Sequence, residues 1–157
     1  MGKEIERKFL VEGDGWRGSA NGLFYRQGYL NSAKDRIVRV RAIGADRAYL
    51  TVKGPASGAV RDEFEYEIPR ADADYMLDGL AEKPLIEKTR FKIPCGDFIW
   101  EIDEFAGDNA GLVLAEIELQ SEGQSFPKPS WLGLEVTGDP RYFNSSLIKN
   151  PFKNWRQ

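Results

Sequence analysis

Six short stretches of this sequence place charged side chains at every second position. They are Glu4, Glu6 and Lys8; Arg39 and Arg41; Glu63, Glu65 and Glu67; Lys88, Arg90 and Lys92; Glu101 and Asp103; and Glu116 and Glu118. Lys53 stands alone between the second and third. Arg and Lys are the side chains that take phosphate oxygens, Arg in a two-pronged fork. Asp and Glu are the oxygen ligands of hard divalent cations. A site built from both kinds suits a polyanion that carries a divalent metal. The chain has no His and a single Cys, Cys95. That removes a Ser-His-Asp triad, a Cys-His dyad and His-ligated zinc. Any metal site must use oxygen ligands, which favours magnesium or manganese.

A spacing of two is the spacing of a β-strand, where residues i and i+2 share one face. The residues between the charges are mostly apolar: Ile5 and Phe9, Val38 and Val40, Phe64 and Tyr66, Phe91 and Ile93, Trp100 and Ile102, Ala115 and Ile117. Arg7 is the exception on the apolar side of its strand. The pattern predicts strands over Glu4–Val11, Phe24–Leu30, Asp35–Ile43, Arg47–Lys53, Arg61–Ile68, Glu87–Ile93, Phe98–Phe105, Leu112–Leu119 and Leu134–Val136. Gly44-Ala45-Asp46, the Gly54–Gly58 stretch and Cys95-Gly96-Asp97 read as hairpin connections. A helix is predicted from Asp72 to about Glu82, ended by Lys83-Pro84. A second should start after Asp139, with Pro140 at its first position, and run through Tyr142 and Phe143 to about Ile148. The class is β-rich α+β, a barrel or a curled sheet with a few covering helices.

One charged face per strand is ordinary when that face meets water. Two features go further. The charges within a strand are mostly of one sign, and like charges on one face repel unless opposite charge lies between them. The charged side also recurs on at least six strands. Curling the sheet so that these sides face inward yields a polar tunnel with cationic and acidic rows. A second reading stays open on pattern alone: the rows pair with each other across strands and bind nothing.

At 157 residues the chain is expected to be one domain, 1–157. Its 41% apolar and 12% aromatic content is that of a folded protein. A balance of 22 basic against 25 acidic residues, net −3, argues against nucleic-acid binding. The charged start carries no apolar export segment, and no apolar run approaches the roughly 20 residues of a membrane span. With one Cys, the expectation is a cytoplasmic protein with no membrane partner, either monomer or homodimer.

The opening Glu4-Ile5-Glu6-Arg7-Lys8 resembles the Glu-x-Glu-x-Lys signature of the triphosphate tunnel metalloenzymes, or CYTH superfamily. Its ordered companions are Gln27-Gly28-Tyr29-Leu30, Arg39-Val40-Arg41, Thr51-Val52-Lys53-Gly54, Glu63-Phe64-Glu65, Lys88-Thr89-Arg90, Glu101-Ile102-Asp103, Glu116-Ile117-Glu118 and Glu135-Val136-Thr137-Gly138-Asp139. The resemblance implies a closed eight-stranded antiparallel β-barrel around a charged tunnel. It implies that Glu4, Glu6, Asp103, Glu116 and Glu118 hold Mg²⁺ or Mn²⁺. It implies that Arg39, Arg41, Lys53, Lys88 and Arg90 grip a triphosphate, and that Lys8 and Tyr29 form a pair beside the reacting phosphate. Glu63 and Glu65 would either bind metal through water or orient neighbouring cations. The expected activity, as in the short bacterial members, is hydrolysis of tripolyphosphate to pyrophosphate and phosphate. No insertion for gripping a base or a thiazole is evident. The alternatives are a class IV adenylyl cyclase, a thiamine triphosphatase and a non-catalytic polyphosphate-binding module. Trp16, Trp131 and Trp155 are read first as packing residues rather than a stacking platform.

Overall fold

Period-two segments with one apolar side need a partner for that side and hydrogen-bond partners along both edges. The computed structural model, which describes residues 2–155, meets both needs by closure. Its strands are β1 (Gly2–Val11), β2 (Gly22–Asn31), β3 (Ile37–Ile43), β4 (Arg47–Lys53), β5 (Val60–Glu67), β6 (Ile86–Cys95), β7 (Phe98–Phe105), β8 (Val113–Glu118) and β9 (Leu132–Glu135). Neighbours run β5-β4-β3-β2-β6-β7-β8-β1, all antiparallel, and β1 pairs back onto β5, giving an eight-stranded barrel. The predicted strands are all present, with ends differing by a few residues.

β1 serves three partners. Gly2–Ile5 pair with β5 and Glu6–Leu10 with β8. Phe9 and Val11 pair with β9, a ninth strand outside the closed ring. Tight hairpins join β3 to β4 and β6 to β7. Their glycines, Gly44 (φ 57°) and Gly96 (φ 62°), occupy left-handed backbone where a side chain would be strained.

The apolar sides point outward and form three clusters under covering elements. Phe9, Trp16, Trp100, Ile102, Ala115, Ile117, Leu119 and Trp131 pack on the β1-β7-β8 wall. Trp100 meets Phe9, Phe126 and Trp131 edge-on at 5.5–5.8 Å. Truncating such a fully buried tryptophan costs about 3–5 kcal/mol. A second cluster joins Ile37, Ile86, Phe105, Leu114, Val136, Tyr142, Leu147 and Ile148. The third lies beneath α1 (Arg70–Gly79), where Ala73 and Leu77 cover Val40, Ala42 and Ala48. Gly28 belongs to this contact: a Cβ there would come within 2.7 Å of Leu85 Cδ2 and 2.8 Å of Ala81 Cβ.

Two helical expectations are corrected. α1 spans residues 70–79, not 72–82, because the N–H groups of Leu80 and Ala81 both turn back to the Met76 carbonyl and close it early. The second helix is broken. Asp139 does cap it, accepting from the Arg141 N–H, and Pro140 is at the first position. The turn that follows is a 3₁₀ segment, Pro140–Tyr142; Phe143 is extended (ψ 132°) before α2 (Asn144–Leu147). The break lets Tyr142 enter the second cluster while Phe143 and Asn144 reach the barrel interior. Among the described residues, no helix is long and apolar enough to cross a membrane.

Candidate active site: a tunnel of two charged arcs

The side chains opposite the apolar clusters line a cavity of about 440 Å³ running through the barrel. Glu4, Glu6, Lys8, Tyr29, Arg39, Arg41, Lys53, Glu63, Glu65, Lys88, Arg90, Glu116 and Glu118 all border it. Asp103 does not. It is fully buried behind the lining, with one oxygen 2.7 Å from Lys88 Nζ and the other 2.7 Å from Arg90 Nε. Glu101, read from sequence as part of an acidic row, borders the cavity as well; other lining residues were not singled out from sequence: Tyr25, Tyr49, Thr137, Phe143 and Asn144. Strand parity could have found Tyr25 and Tyr49. Thr137 and Asn144 carry no comparable signal. None of the four tryptophans borders the cavity; Trp16, Trp100 and Trp131 are in the outer core and Trp155 packs on Tyr142 and Phe152.

Strand order sorts the charges by sign. The cations at Arg39, Arg41, Lys53, Lys88 and Arg90 come from β3, β4 and β6, which with β2 form one continuous half of the barrel. The carboxylates come from β7, β8, β1 and β5, the other half. Two lining cations fall within the acidic half, Lys8 on β1 and Arg61 on β5, where Arg61 donates to the Gly54 carbonyl.

Where the halves meet, charges pair. At the β4–β5–β1 seam, Lys53 Nζ is 3.1 Å from Glu4 Oε1 and 3.6 Å from Glu63 Oε2. Arg39 donates to Thr51 Oγ1, which donates to Glu65 Oε2. At the β6–β7 seam, Arg90 reaches Asp103, Glu101 (3.3 Å) and Glu116 (3.4 Å). Burial disfavours charge at Arg90, but these carboxylates outweigh it and hold the guanidinium well above its ordinary pKa. Burial likewise works against ionised Glu4 and Asp103, yet their cation partners hold both below the ordinary value.

Away from the seams each arc is left with charge it cannot cancel. Burial, then Arg39 and Arg90, lower Arg41 to about 10. Arg39 has its Nε buried with no hydrogen-bond partner among the described residues, a cost that an incoming oxygen would relieve. In the acidic arc, Glu101 is cross-strand partner to Glu116, and Glu6 to Glu118, like charge opposite like. Burial, then Glu116 and Glu4, push Glu6 well above the ordinary carboxyl range. Glu118 is raised for the same kind of reason, by burial and then Glu4 and Glu101. Glu116 goes the other way: against its burial, Lys8 and a hydrogen bond with Glu6 lower it strongly.

This donor set fits a hard divalent cation. It is oxygen-only, and its unopposed carboxylates need positive charge. Among the described residues no three of them form a ready-made ligand cage.

Residues 2–148 match the family described as CYTH domain. The chain belongs to that family. A protein from Acetivibrio thermocellus named inorganic triphosphatase is 56% identical over 157 residues, the full length of both chains. Another of that name, from Nitrosomonas europaea, is 40% identical over 149 residues, 92% of this chain and 95% of its own. The crystal structure of an inorganic triphosphatase superposes with a TM-score of 0.64 at 36% identity, covering 92% of this chain and 96% of that one. The CYTH chain described here thus shares both barrel and length with these relatives.

Proposed function

We propose that this CYTH protein hydrolyses inorganic triphosphate, releasing pyrophosphate, orthophosphate and a proton for each water consumed. The observation that carries the reading is the full-length relative at 56% identity named for that activity. The site supports it: one wall needs anionic oxygens and the facing wall needs cations, which a metal–polyphosphate complex supplies together. Moving a phosphoryl group to water depends on alignment and charge neutralisation more than on covalent help.

In this reading Arg39, Arg41, Lys53, Lys88 and Arg90 hold the phosphate chain against the basic arc. Asp103 holds Lys88 and Arg90 in place through its two oxygens. Glu4, Glu6, Glu116 and Glu118 would hold the divalent ion, Mg²⁺ or Mn²⁺. An ion held there would supply positive charge to stabilise the charge that develops on the phosphate oxygens. Glu63 and Glu65 orient Lys53 and Arg39. Lys8 Nζ gives one N–H to the Tyr142 carbonyl at 3.0 Å, which leaves two donors for the terminal phosphate or the attacking water. Tyr29, buried in the second outer cluster, also borders the cavity and in this reading acts beside Lys8. Water attacks the terminal phosphorus in line, and the bond to the bridging oxygen breaks. The chain acts as a single domain in the cytoplasm, where Cys95 stays reduced.

The test is phosphate release from tripolyphosphate, ATP and thiamine triphosphate side by side, with Mg²⁺ and with Mn²⁺. Tripolyphosphate should be split fastest, and only with metal. Equal rates on all three overturn the substrate assignment; cyclic AMP from ATP replaces hydrolysis with cyclisation. Tight tripolyphosphate binding with no phosphate released would make the tunnel a binding module.

A further inference from the structure

We propose that Asn144 is a substrate-binding residue whose side-chain amide donates to a phosphate oxygen, adding an uncharged donor beside the cations of the basic arc. The inference rests on the polyphosphate reading above and goes beyond it by naming a contact outside the charged rows.

The argument is one of hydrogen-bond polarity. Arg41 Nε donates to Gln27 Oε1 at 2.8 Å. An arginine can only donate, so the oxygen of Gln27 must face it, and its NH₂ must face the other way. Gln27 is fully buried, and its Nε2 donates to Asn144 Oδ1 at 3.1 Å. Lys88 Nζ, another donor-only group, reaches the same Oδ1 at 3.0 Å. Two cations therefore fix the orientation of both amides from opposite ends of the relay. Flipping Asn144 would set its NH₂ against the ammonium of Lys88 and the NH₂ of Gln27. Its oxygen is thus fully used, while its Nδ2 has no acceptor among the described residues.

Asn144 borders the tunnel, and its side chain does no work for its own helix. α2 is preceded by Phe143, with no side-chain cap. What remains is an amide NH₂ at the cavity wall, locked in orientation, next to the ammonium of a proposed phosphate-binding lysine. Donors held this way lose little on binding an anion, because nothing has to reorganise.

The test is calorimetric titration with tripolyphosphate, without metal, together with steady-state kinetics in Mg²⁺. N144A should bind about tenfold more weakly, with a matching rise in KM, the loss expected for one hydrogen bond to a charged group. The same variant in a K88M background separates direct contact from an effect passed through Lys88. A direct contact leaves the N144A loss in place there; its disappearance overturns the proposal. N144D keeps the shape and an oxygen for Lys88 and Gln27, so it should melt no lower than the parent yet bind more weakly than N144A. Parent-like binding by N144D, or N144A within twofold of the parent, also overturns the proposal. These failures differ from failure of the wider reading. A parent that gives no heat with tripolyphosphate overturns the polyphosphate assignment and this contact with it.

Discussion

The two halves of the tunnel wall share a strand geometry and differ in what they lack. The basic half, β4-β3-β2-β6, has buried guanidinium groups and too few acceptors: among the described residues the Arg39 Nε has no partner. The acidic half, β7-β8-β1-β5, has carboxylates facing carboxylates, and Glu6 keeps its proton well above the ordinary range through burial and its neighbours Glu116 and Glu4. Pairing at the seams holds the barrel closed without cancelling either centre. A protein selected only for stability would interleave the signs, since ion pairs across adjacent strands are favourable and like pairs are not. Segregation into arcs is the arrangement that leaves room for a ligand with both signs.

The largest effects should come from neutralising the centre of either arc. R39A, R41A and E116Q are each expected to lower metal-dependent tripolyphosphate turnover at least about a hundredfold, the size seen when one preorganised charge partner of a transition state is removed. Phosphate release measures it. Wild-type rates in all three would break the assignment of roles to the arcs.

A smaller effect should separate the arcs by what each binds. E118Q is expected to raise the Mg²⁺ concentration needed for half-maximal rate about tenfold while moving KM for tripolyphosphate little. E65Q, on the carboxylate beside Arg39 and Thr51, should do the reverse. Without metal, E118Q should also melt higher than the parent, because it removes one of two facing carboxylates. A function-bearing cluster often costs stability in this way. Identical metal titrations for the two variants would show that the arcs do not divide the labour.

Much of this was legible in the sequence, and the boundary is physical. Strand parity placed Glu4, Glu6 and Lys8 on one face and Ile5 and Phe9 on the other, because side-chain direction is a local property. The two arcs were not legible. They follow from β2 lying beside β6 and β1 closing onto both β8 and β5, pairings between segments far apart in the chain. Depth was hidden for the same reason: parity puts Asp103 inward beside Glu101, but only packing shows that Lys88 and Arg90 cover it. Neutral polar residues have no charge pattern to read, and the motif that contains Gln27 says nothing of what its side chain touches. Gln27 and Asn144 matter through their partners, and those partners lie 14 residues away for Arg41 and 56 for Lys88. The break at Phe143 was equally invisible, since Asp139-Pro140 is a sound helix start and the extended Phe143 is set by what the barrel end must receive.

The mildest effect is on stability, and its sign follows from the acidic arc. Burial, then Glu4, raise Glu63 to about 7, while Glu6 and Glu118 are raised by burial and neighbouring carboxylates. A carboxyl with a raised folded pKa binds its proton more tightly folded than unfolded. As pH climbs past about 4.5 the unfolded chain releases that proton first, so stability falls until the folded group ionises near 7. Glu4, Asp103 and Glu116 are lowered, so their gains are complete below this window. Lys88, lowered to about 7 chiefly by burial, acts only above it. Metal-free protein should therefore lose about 1 kcal/mol or more between pH 5 and pH 7, a drop of a few degrees in Tm. A divalent cation lowers the folded pKa of carboxylates it touches and removes the reason for the fall. Melting curves at pH 5, 6 and 7, with and without Mg²⁺, should converge at low pH and separate toward neutrality. A metal-free Tm that rises across that range would mean that the seams already neutralise the acidic arc. The contrast between the two walls would then rest on the basic side alone.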